Sequence, residues 1–269
     1  PTRRTRDVSS TARRGTASEG LRRSLIETHA QHIRYMEDVA QVPRHQRTIV
    51  LLQAKPTPAL LLLPAEGMTA DELQPLAEEF HRRGFTVMAT NLAYRTLDKP
   101  GRSPVYWQTC SDEVENRFDV LAHYSTRVSI LGLGMGGLLG LQVATTRRVG
   151  EVVALFPTLG SQSGLMERWR ATLQRLLRRE ATLPRTWPEQ RKVAARAASA
   201  NLLRVPVPFY VLVEERNDRS EPAQAAQVAR KLVQRAATKL RVLRPGEAAS
   251  LRDLPPAVFD EILAFLRRS

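Results

Sequence analysis

The chain has 269 residues, with 41 Lys+Arg against 27 Asp+Glu, a formal net charge of +14. Apolar residues make up 42% of it, which is enough for a sizeable core and excludes wholesale disorder. The single cysteine, Cys110, excludes a disulfide framework and a cysteine zinc site, and the absence of any run of 18 apolar residues excludes a membrane span. The first twenty residues are polar and Arg-rich with no apolar leader, so a cytoplasmic location is expected.

In chain order, residues 1–17 hold Arg, Ser and Thr with little that is apolar, which predicts a disordered basic tail carrying Arg3, Arg4, Arg6, Arg13 and Arg14. The region 18–46 is expected to form an N-terminal helix. Ser18 stands as its cap, and Leu21, Leu25, Ile33, Met36 and Ala40 recur at helical spacing. Thr48–Ala54 and Ala59–Leu63 read as strands joined through Lys55-Pro56-Thr57-Pro58 in a hairpin-like entry. Asp71–Arg83 reads as a helix stopped by Gly84, and Phe85–Thr90 as a strand. Helix Ser111–Ser125, strand Arg127–Leu131, helix Gly136–Thr146 and strand Val152–Phe156 follow. Residues 165–180 and 189–203 read as helices with no strand between them. The alternation then resumes with strand Pro208–Val213, helix Ala223–Ala236, strand Lys239–Leu243 and helix Pro256–Arg267.

Several of these strands are continuous apolar runs, as a parallel sheet covered on both faces requires. The expected fold is therefore α/β. A mostly parallel core at 47–160 and 205–269 is interrupted by a helical insertion at 161–204 that caps the sheet. Charge is uneven along this plan. Residues 1–24 carry +5 and residues 161–204 carry +7, which leaves +2 for the rest. Such localisation points to an anionic partner, whereas a genome-wide preference for Arg would leave the excess without function.

The segment Gly132-Leu-Gly134-Met135-Gly136-Gly137 joins a strand to a helix and admits two readings. Gly132, Gly134 and Gly137 fit a dinucleotide fingerprint, but strands precede it and the nearby acid, Glu151, comes before the next strand instead of at its end. The other reading is a nucleophile elbow. The segment resembles the G-x-S-x-G turn of the α/β-hydrolase superfamily, with Gly134 at the position of the serine. Further segments carry the same resemblance: Leu61-Leu62-Leu63-Pro64-Ala65-Glu66-Gly67, Asp71-Glu-Leu-Gln-Pro75, Arg83-Gly84-Phe85, Pro206–Val213 with Asp218, and Arg244-Pro245-Gly246. Over residues 47–269 the order is similar to that of small carboxylesterases and monoacylglycerol lipases.

What the resemblance implies is a triad, and the triad is incomplete. Gly134 has no side chain, the histidine position falls on Ala248 or Ala249, and Asp218 alone remains. All five histidines (His29, His32, His45, His81, His123) precede the glycine turn. In the oxyanion loop, Glu66 stands where a carboxylate would oppose a developing negative charge, which leaves the Met135 amide as one donor. No metal site or cofactor is expected.

The insertion carries Arg168, Arg170, Arg175, Arg178, Arg179, Arg191, Lys192 and Arg196. Arg suits bidentate phosphate contacts, so a basic cap and tail binding nucleic acid or another polyanion is the leading expectation. Two alternatives stand beside it. One is a hydrolase with non-standard catalytic residues. The other is a small-ligand receptor whose vestigial pocket involves Glu66, Gly134, Met135 and Asp218. The N-terminal helix is expected to dock on its own domain or on a second copy in a homo-oligomer.

Overall fold

The computed structural model describes residues 6–66, 68–92, 107–157, 207–214, 238–243 and 255–268, with side chains in the first helix described only from Gly20 onward. Their arrangement follows from the strands. Strand β2 (Ala59–Leu63) is Ala-Leu-Leu-Leu-Leu and buried throughout, and β4 (Val128–Leu133) and β5 (Val152–Leu155) are equally buried. A strand with apolar side chains on both faces is stable only when both faces are covered.

With β1 (Ile49–Leu51), β3 (Thr86–Ala89), β6 (Phe209–Glu214) and β7 (Thr238–Leu243), these strands form one seven-stranded sheet of order β1-β3-β2-β4-β5-β6-β7. Every pairing is parallel except β1 with β3. Side chains alternate across the sheet. Ala59, Leu61, Leu63, Ile130, Val152, Ala154 and Val211 join one apolar cluster, while Leu60, Leu62, Leu131, Val153, Leu155 and Leu212 join the other.

The helices divide accordingly. On the first face lie α1 (Arg6–Val39), α3 (Trp107–Tyr124) and α4 (Met135–Val143), through Ile26, Ile33, Val114, Phe118 and Leu138. On the second lie α2 (Gln74–Arg82), led in by a 3-10 turn at Asp71–Leu73, and α5 (Pro256–Leu266). There Phe80 meets Phe85 and Phe259 with ring centres 5.9 and 5.0 Å apart. Gly84 ends α2 with φ +96°, a conformation that costs glycine nothing.

Two expectations are corrected. No hairpin joins β1 to β2. Both hydrogen-bonding edges of β2 are taken by the parallel neighbours β3 and β4, so β1 pairs antiparallel with β3 at the sheet's edge, Val50 opposite Met88. The N-terminal helix also starts at Arg6 and not at Ser18, so most of the segment read as a disordered tail has helical backbone. No proline interrupts residues 6–42, and Ala12, Arg13, Arg14 and Ala17 are good helix formers, so nothing between Arg6 and Ser18 terminates a helix. Helix α1 docks on α3 through Ile26, Ala30 and Ile33. Its Glu37 carboxylate, also buried, accepts from the Thr48 amide at 2.9 Å and the Thr48 hydroxyl at 2.6 Å. The helices expected at 165–180, 189–203 and 223–236 lie outside the described residues.

Candidate functional site

In a parallel sheet the C-terminal strand ends share one edge, and loops leaving that edge build the sites of open α/β folds. Strand β4 sits between β2 and β5, so the turn after it lies near the middle of that edge. Here Gly134 has φ +49° and ψ −116°, and α4 begins at Met135. The turn is enforced by contact. A Cβ on Gly132 would lie 2.3 Å from the Gly136 carbonyl group, and one on Gly136 would lie 2.7 Å from the carbonyl oxygens of Leu63 and Pro64. The end of β2 therefore passes directly over the first turn of α4, and only glycine fits at either position.

Gly134 itself is less crowded. A Cβ there would meet only Ala65, at 3.3 Å from its Cβ. Its amide donates to the Leu155 carbonyl of β5 at 2.9 Å. This is the strand-to-helix bend expected of an elbow, with no side chain at its apex. The first-turn amides of α4, that of Met135 among them, have no partner within their own helix. The Met135 side chain is buried.

The residue next to Gly134 across the cleft is Ala65. Glu66, expected to oppose an oxyanion, follows it and is half-buried. Two residues at this edge went unnoticed in the sequence. Phe156, directly after β5, has φ +49°, and its amide donates to Leu212 at 2.7 Å. A second left-handed residue thus stands beside Gly134. No sequence signal announces it, because a residue before proline ordinarily stays extended. Asn91, after β3, accepts the Ala70 amide through Oδ1 at 2.8 Å and fixes the loop that follows β2.

Glu151 lies at the other end of the sheet. It is 1% exposed, accepts from the Ser129 hydroxyl at 2.6 Å and pairs with Arg127. It is a buried tie between the starts of β4 and β5, remote from the glycine turn, so it cannot serve as the ribose acid of a dinucleotide site. His81 is bonded to Gln53 near the start of β3, and His123 ends α3 ahead of β4, so both are at that far end as well. His29 and His32 are exposed on α1, and the His45 backbone sits in the turn before the edge strand β1. Cys110 is buried in the core. Among the described residues no cluster of three His, Cys, Asp or Glu could hold a metal, and no helix is long and apolar enough to cross a membrane.

Of the remaining candidates, Asp218, Ala248, Ala249, Arg3, Arg4 and the whole insertion from Arg168 to Arg196 lie outside the described residues. Arg6, Arg13 and Arg14 are on the backbone of α1. The last described residue after β5, Pro157, follows Leu155, whose carbonyl takes the Gly134 amide. Strands β6 and β7, which precede Asp218 and Ala249, end at the same edge as the turn.

No protein-family model matches the sequence, and no curated protein is similar to it. Solved structures are. One from work on the metagenome-derived lipolytic enzymes LipS and LipT is 17% identical, with a TM-score of 0.62 over 85% of this chain and all of that one. A Thermus thermophilus protein is 13% identical, with a TM-score of 0.60 over 83% of this chain and 95% of that one. A structure from work on carboxylesterases of the ammonia-oxidising thaumarchaeon Nitrososphaera gargenis is 14% identical, with a TM-score of 0.56 over 83% of this chain and 96% of that one.

Proposed function

This chain has the α/β-hydrolase fold, and we propose that it is a non-catalytic member of that architecture which binds a polyanion, nucleic acid, through its basic insertion and N-terminal segment. The observation that carries the first half is Gly134. The elbow backbone is kept, and the residue at its apex has no atom that can attack a carbonyl. No described histidine faces the turn, and the positions after β7 where the resemblance expects one hold Ala248 and Ala249. A donor amide without nucleophile or base stabilises charge that nothing generates.

The second half is supported by charge. With +7 in residues 161–204 and +5 in residues 1–24, the excess is concentrated in two segments. Binding of duplex DNA measured across a salt series tests it. With six to ten phosphates neutralised, affinity falls by about 10³–10⁵ between about 50 and 200 mM salt. Arg168, Arg175, Arg178 and Arg179→Ala together flatten that slope. Absence of binding at low salt refutes the reading. Turnover of short-chain p-nitrophenyl esters, abolished by a point change near Gly134, would return the chain to the hydrolases.

A further inference from the structure

All five exposed large apolar side chains among the described residues belong to one helix: Leu21, Leu25, Tyr35, Met36 and Val39 of α1. They do not lie on the face that docks on α3. That contact uses Ile26, Ala30, Ile33 and Glu37, which are at most 9% exposed, whereas Leu21, Tyr35 and Val39 are each more than 60% exposed. At 100° per residue Leu21, Tyr35 and Val39 point about 150–170° away from that contact, and Leu25 and Met36 lie on the flank between the two faces. A helix that is apolar on a second face has a second surface to cover.

The spacing on the outer face names the kind of cover. Leu21, Leu25, Thr28, His32, Tyr35 and Val39 alternate steps of four and three, the a/d rhythm of a helix that packs against another helix. The row is also a palindrome about position 30. Read in either direction it runs apolar, apolar, polar, polar, apolar, apolar. In an antiparallel pair of identical helices Leu21 meets Val39, Leu25 meets Tyr35, and Thr28 meets His32, each contact occurring twice about a two-fold axis. The polar pair falls at the axis, where it fixes register. The row ends where the pattern would continue through Ser18 and Arg14, and at its other end where the helix stops at Val39.

We propose that the outer face of α1 is the dimer interface of this protein, formed by a second copy docking antiparallel about Ala30. A bilayer surface is a poorer match, because Thr28 and His32 interrupt the middle of the apolar face, where an interfacial helix is continuously apolar. The proposal is independent of the reading of Gly134.

The test uses the full chain. Sedimentation over a concentration series is expected to show a dimer, and Leu25→Glu with Tyr35→Glu is expected to halve the mass without changing the circular dichroism, and to give a melting temperature that no longer rises with protein concentration. Register is read by oxidation. Leu21→Cys with Val39→Cys cross-links into a covalent dimer, whereas Leu21→Cys alone does not, since its two copies sit about 27 Å apart along the axis. Cys110 is buried and does not compete. A monomer at every concentration overturns the proposal, as does cross-linking by Leu21→Cys alone, which means parallel pairing. A monomer that binds anionic vesicles, or one that Leu25→Glu destabilises, assigns the face to lipid or to another part of the chain.

Discussion

Gly132, Gly134 and Gly136 stand two residues apart, yet their tolerance of a methyl group differs sharply. At Gly132 and Gly136 the new atom meets backbone at 2.3 and 2.7 Å, so the strand end and the helix must separate. Gly132→Ala is expected to cost more than about 3 kcal/mol, read as a lower urea midpoint or as failure to fold. Gly134→Ala meets one methyl at 3.3 Å and an unfavourable φ, an expected cost of about 1–2 kcal/mol. Gly134→Ser should fold for the same reason and still hydrolyse no p-nitrophenyl ester, because a hydroxyl without its base stays protonated. The glycine spacing made this turn legible in the sequence, since only such spacing lets strand and helix cross so closely. Ala65 and Phe156 were not legible. Ala65 comes next to the turn through the crossing of β2 over α4, a tertiary contact, and the left-handed φ of Phe156 accompanies its amide's bond to Leu212 of β6, another tertiary contact.

At the scale of elements, apolar runs identified β2, β4, β5 and β6 as parallel strands, because such runs are too short for a buried helix and fit a strand covered on both faces. The partner of β1 was hidden, since three half-buried residues fit equally well beside β2 or β3. Charged ties hold elements together. Arg127, Ser129 and Glu151 bind the starts of β4 and β5, and burial pushes the Arg127 guanidinium below its ordinary value. Glu151→Ala leaves that cation without its carboxylate and is expected to destabilise by about 3–5 kcal/mol in chemical denaturation. Glu261 of α5 pairs with Lys239 at 2.5 Å and accepts from the Tyr210 hydroxyl at 3.3 Å, tying that helix to β6 and β7. Burial raises its carboxyl pKa, but Lys239, Tyr210 and Arg241 together outweigh that and hold it below the ordinary 4.5. A depressed folded-state pKa contributes stability that is complete above the unfolded value and is lost as pH falls through the folded one. Glu261→Gln should therefore lower stability by roughly 0.5–1 kcal/mol at neutral pH, with the gap to the parent closing below about pH 4.5.

Across the whole molecule the positive charge is uneven: residues 1–24, most of them in α1, carry +5, residues 161–204 carry +7, and the rest of the chain carries +2. A residue count showed this division, since charge per segment needs no coordinates. What it could not show is that α1 is an extended rod of 34 residues, about 51 Å, reaching well past its contact with α3. Antiparallel pairing of two such rods would carry their Arg-rich beginnings to opposite ends of the dimer. DNA binding by the dimer should then gain in affinity as the duplex lengthens to span both ends, whereas the Leu25→Glu, Tyr35→Glu chain should show no such gain when the same duplexes are titrated at one salt concentration.

The crossing of β2 over the first turn of α4 has a further consequence. Its close approach is set by Gly132 and Gly136 on either side of the apex, while Gly134 supplies the positive φ of the bend. The bend therefore rests on packing alone, whether or not any chemistry is performed there. The shape of this turn therefore reports the fold; whether the molecule turns anything over depends on the residue at the apex and on the groups around it.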